Sequence, residues 1–71
     1  MTRAVYTAPV GRTMVGQVVP KSFGYEAQLL LRGQVIDSVH INGKARRALT
    51  LDEAIAQIDA WHAHEIRCGH A

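Results

Sequence analysis

The sequence predicts an α+β domain: an antiparallel sheet of three to four strands packed by one C-terminal amphipathic helix, in two layers. Three observations carry the prediction. A capped helical period runs over residues 50–68, apolar residues alternate on either side of a glycine over 25–41, and 71 residues leave room for a single domain over 1–71.

Residues 1–12 contain Pro9 and Gly11 and read either as a first strand over 3–7 or as a flexible arm. Residues 13–48 are expected to hold the sheet. Its opening strand spans 13–19 and is ended by Pro20 and a loop over 21–24, with Gly16 marking a bulge or a weak edge. A hairpin follows over 25–41, in which Tyr25, Ala27, Leu29 and Leu31 alternate with Glu26, Gln28 and Arg32, and Gly33 marks the reversal before Val35, Val39 and Ile41. Leu30 and Ile36 break that alternation, which implies either a second buried face against a partner chain or a different register. Asp37 falls on the apolar side and is expected at a rim. Asn42-Gly43 predicts a type I′ turn, since both residues tolerate positive φ, with a short strand over 44–48 behind it.

The helix begins at Thr50, with Glu53 three residues on to close a capping box and Asp52 adding negative charge at the positive end of the dipole. Gly69 supplies the stop. At 100° per residue, Leu51, Ala54, Ile55, Ile58, Trp61, His62 and Ile66 share one arc, while Glu53, Ala56, Ala60, His64 and Arg67 point away. The middle of that arc is the expected core.

Composition bounds the function. The chain is 48% hydrophobic and 20% charged, a globular balance. No apolar run approaches the about 20 residues of a membrane span, and Thr7 and Pro9 interrupt the N-terminal stretch where a secretory signal needs continuity. Cys68 stands alone, so no internal disulfide forms and a reducing cytoplasm is the expected setting. A chain this short also buries only about 60% of its unfolded surface, which makes a homodimer attractive. Charge is uneven: residues 1–49 carry a balance of +5 and residues 50–71 a balance of −3. The asymmetry points to an acidic macromolecular partner, a protein or a nucleic acid, met by Arg32, Lys44, Arg46 and Arg47, or equally to head-to-tail packing between copies of the chain. None of the aromatics is interleaved with the basic run in sequence, so a solvated loop or charged edge strand is the plainer account of it.

His64 and Cys68, four apart on one helix face, with His70 beyond Gly69, are candidate metal ligands. His62 projects from the apolar face and is expected at the core margin. No enzyme is expected: Cys68 lies at the helix C-terminus, whose partial negative charge opposes thiolate formation, and Ser22 and Ser38 lack a strained turn. No motif calls for a cofactor.

The segment from Gly24-Tyr25 through Trp61, with its Thr50-Leu51-Asp52-Glu53-Ala54-Ile55 helix start, resembles the strand-strand-strand-helix half of HicB-type antitoxins, which have a Gly-Tyr strand start and a Thr-x-x-Glu-Ala helix start. Short prophage and plasmid proteins share the layout. The resemblance covers about half the chain and implies toxin neutralisation and operator binding; the Pro and Gly-Cys segment that the family places between its strands is absent here. The sequence thus points to a small non-catalytic binding or regulatory module, with a metal-responsive protein as the alternative and an enzyme last.

Overall fold

The computed structural model describes residues 3–69. Strands β1 (Tyr6–Val10), β2 (Met14–Lys21), β3 (Gly24–Leu31) and β4 (Gln34–Val39) are followed by β5 (Ile41–Asn42), β6 (Arg47–Ala48) and helix α1 (Leu51–Arg67). The first four form an antiparallel meander in the order β1-β2-β3-β4, and β5 and β6 make a small hairpin beside it. The predicted α+β architecture is therefore present, with α1 packed on β3, β1 and β2; on the opposite face of the sheet Val15 and Val35 are exposed while Val19 is buried. The first strand is Tyr6–Val10, displaced along the chain from the expected 3–7.

The core is small: Val10, Val18, Ala27, Leu29, Leu49, Ala54 and Ile58, with Ile55 and Trp61 packed against it. Alternation places Val18 on β2 and Ala27 and Leu29 on β3 toward the helix. Gly16 sits in the middle of that surface and marks neither a bulge nor an edge. It is buried in a central strand because a Cβ there would lie 2.6 Å from Ile58 Cγ2, so the missing side chain lets α1 approach the sheet. Leu51 and Ile66, expected on the apolar arc, are exposed because they lie at the two ends of α1.

Pro20 does not end β2. It pairs with Tyr25 inside the strand; β1 stops opposite Val18, so the proline has a strand neighbour on one side only and its missing N–H removes no bond on the other. The reversal at Gly33 is confirmed. Arg32 and Gly33 have φ of 53° and 81°, the positive pair of a type I′ turn. Past it, β4 carries a bulge: Leu29 faces Asp37 and Leu30 faces Val35, leaving Ile36 as the extra residue. Asp37 lies on the helix side of an exposed edge strand, at the expected rim.

Asn42-Gly43 does not form a type I′ turn. The β5–β6 loop is longer, and its left-handed residue is Arg46, at φ 55°. The Asn42 side chain decides this, since its Oδ1 accepts the N–H groups of Lys44 and Ala45 at 3.0 and 3.1 Å, while its carbonyl accepts from Arg46 N–H at 2.7 Å.

Candidate functional site

The β5–β6 hairpin is the most built part of the surface. Its inner side is fastened to α1 by Glu53, expected to point into solvent but found at a junction. The Glu53 carboxylate accepts from Arg47 Nη1 and Nη2 at 2.6 and 3.0 Å, from the Asn42 side-chain amide at 2.5 Å and from the Thr50 N–H at 2.9 Å. Thr50 Oγ1 in turn accepts from Glu53 N–H at 3.2 Å, completing the predicted capping box. Arg47 is thereby a structural strut, held against the helix start.

These bonds hold the Glu53 carboxyl down to about 2 from an ordinary 4.5, with Arg47 the largest cause, followed by the Thr50 backbone N–H and the Asn42 side chain. The folded value is the lower one, so the network's stabilisation is fully present above the unfolded value and is lost as pH falls from about 4.5 toward 2. The thermal midpoint of the protein is expected to drop across that window, and to drop less in Glu53→Gln. Equal pH slopes for the two proteins would show that the junction carries no linkage.

The outer side of the hairpin forms a shallow groove of about 490 Å³ lined by Phe23, His40, Ile41, Arg46, Arg47 and Ala48. Phe23, in the two-residue turn between β2 and β3, is 57% exposed. It meets His40 edge to face, with ring centroids 5.9 Å apart and planes at 66°. Arg46, whose left-handed backbone donates its N–H to the Asn42 carbonyl, also lines this groove, and among the described residues its side chain makes no hydrogen bond or ion pair. An exposed ring and an unpaired cation thus share one concavity.

Of the four basic residues singled out in the sequence, the fold brings Arg46 and Arg47 together here. Lys44 lines a separate groove of about 540 Å³ on the other side of the hairpin, between Ile41 and the helix residues Ala56 and Ala60. Arg32 lies at the far end of the β3–β4 hairpin; with about 3.3 Å per residue along β4, it stands some 17 Å or more from the β4–β5 junction. Phe23 and His40 were not legible as site residues. The one available signal was a large aromatic inside the Lys21-Ser22-Phe23-Gly24 turn, where burial is not on offer.

At the helix end, Cys68 Sγ lies 3.5 Å from His64 Nε2, and both side chains are exposed. His70, the third expected ligand, lies outside the described residues, and among those described no group of three His, Cys, Asp or Glu side chains gathers. His62 is a packing residue at the core margin, as expected: its Nδ1 accepts from Gly11 N–H at 3.0 Å and ties α1 to the β1–β2 turn. Among the described residues no helix is long and apolar enough to cross a membrane. No family model, curated protein or solved structure matches the chain.

Proposed function

We propose that the chain is a non-catalytic binding module, and that the Phe23–His40–Arg46 groove holds single-stranded nucleic acid. The observation that carries this reading is the exposed Phe23 ring, in edge-to-face contact with His40, sharing one groove with Arg46, whose side chain has no partner among the described residues. A base stacks on the ring face, and the cation meets the adjoining phosphate. The basic balance of residues 1–49 favours a polyanion as the partner. The likeness of the helix start to that of HicB-type antitoxins adds a role of the same kind, and the single exposed thiol of Cys68 suits the cytoplasm.

A labelled oligonucleotide titrated at two salt concentrations tests the reading. Affinity is expected to fall with salt. Phe23→Ala should cost about 1–3 kcal/mol of binding at either concentration, the value of one stacked base. Arg46→Ala should flatten the salt slope by about 0.7, the contribution of one single-strand phosphate contact. No binding at low salt, or binding indifferent to both substitutions, rules the groove out.

The pair of His64 and Cys68 supports a second reading as a metal-responsive protein, with His70 as the ligand that would complete it.

A further inference from the structure

The face of the sheet turned away from α1 carries an apolar row that crosses all four strands. Pro9 pairs with Val15, Val15 with Leu30, and Leu30 with Val35, so the four side chains stand side by side. Val15 and Val35 remain 45% and 52% exposed. The row beside it is neutral and already satisfied internally: Gln17 Nε2 donates to Gln28 Oε1 at 2.6 Å, Gln28 Nε2 donates to Glu26 Oε2 at 2.7 Å, and Glu26 is bridged by Lys21 at 3.6 Å. No bare charge interrupts the middle of the face, a composition that disfavours a polyanion and suits an apolar partner.

We infer that this face is a homodimer interface, on which a second copy of the chain lays the same apolar row about a two-fold axis. Three features select a copy of itself and select this face. The molecule is a slab of 34 × 30 × 17 Å, and its broad side can supply the about 800 Å² per partner that a stable interface needs. A row crossing the whole sheet is self-complementary under a two-fold rotation, which brings apolar row against apolar row without a second kind of surface. Both sheet edges are guarded against extension: β1 contains Pro9, and β4 is kinked by the bulge at Ile36 and carries Asp37 on its inner side. Face-to-face packing of two such sheets buries the row between layers about 10 Å apart and adds the third layer that one chain lacks.

The full chain measured by sedimentation equilibrium is expected at twice its own mass. Val15→Glu and Leu30→Glu are expected to run as monomers at the same concentration, with the helical circular dichroism of the parent. As a check independent of any variant, diluting the parent should shift the amide resonances of Val15, Gln17, Gln28 and Leu30 and leave those of Ala56 and Ala60 in place. A monomeric parent overturns the inference and leaves the face to a different protein. A dimer that survives both glutamates, or dilution shifts confined to β4, overturns it in favour of edge pairing.

Discussion

Ile58→Asp leaves the chain unfolded at neutral pH. Ile58 is 1% exposed at the centre of the contact between α1 and the sheet, among Val10, Val18, Ala27 and Leu29. Truncating such a side chain already costs about 2–5 kcal/mol. A carboxylate there adds the desolvation of a charge with nothing to meet it, since the core holds no buried polar or charged side chain among the described residues. A core this small rarely supplies more than about 3–5 kcal/mol in total. The losses exceed the reserve. Far-ultraviolet circular dichroism and Trp61 fluorescence decide the matter: an intact cooperative transition in the variant would mean that α1 does not depend on this contact. Ile58→Val, which keeps the shape and removes one methyl group, is expected to cost about 0.5–1.5 kcal/mol and to fold.

That central contact was readable from the sequence because its causes are local. The capping box needs Thr50 and Glu53 three residues apart, and the buried arc needs only the helical period through Ala54 and Ile58. The alternation of Ala27 and Leu29 needs only the pleat. What the sequence withheld depends on partners distant along the chain. Gly16 reads as a weak point until Ile58, 42 residues on, is seen to occupy the space above it. Pro20 reads as a strand end until β1 is known to stop opposite Val18. Asn42-Gly43 reads as a tight turn because the pattern scores backbone preference, whereas the Asn42 side chain takes two loop amides and moves the left-handed residue to Arg46. The candidate groove was hidden for the same reason. Phe23 comes from the β2–β3 turn and His40 from the link between β4 and β5, and no spacing rule joins them to a basic run that looked like solvated loop.

Gly16→Ala is expected to destabilise the protein by about 1–3 kcal/mol, the usual cost of overfilling a packed core. Elsewhere in a strand the same substitution gains about 0.4–1 kcal/mol by restricting the unfolded chain, so the sign of the effect is the test. The added Cβ would lie 2.6 and 2.9 Å from Ile58 Cγ2 and Cγ1 and 3.2 Å from Val10 Cγ2. Ile58 cannot swing aside, because a β-branched side chain in a helix keeps one strongly preferred rotamer. The helix would have to lift, yet it is tied down at its start by the Glu53–Arg47 pair and near its end by the Gly11–His62 hydrogen bond. Ile58→Leu removes Cγ2, the nearest atom, at nearly constant volume, and in that background the alanine should cost clearly less. If denaturant unfolding instead shows the two changes to be additive, the strain lies elsewhere and Gly16 is kept for a reason other than the approach of the helix.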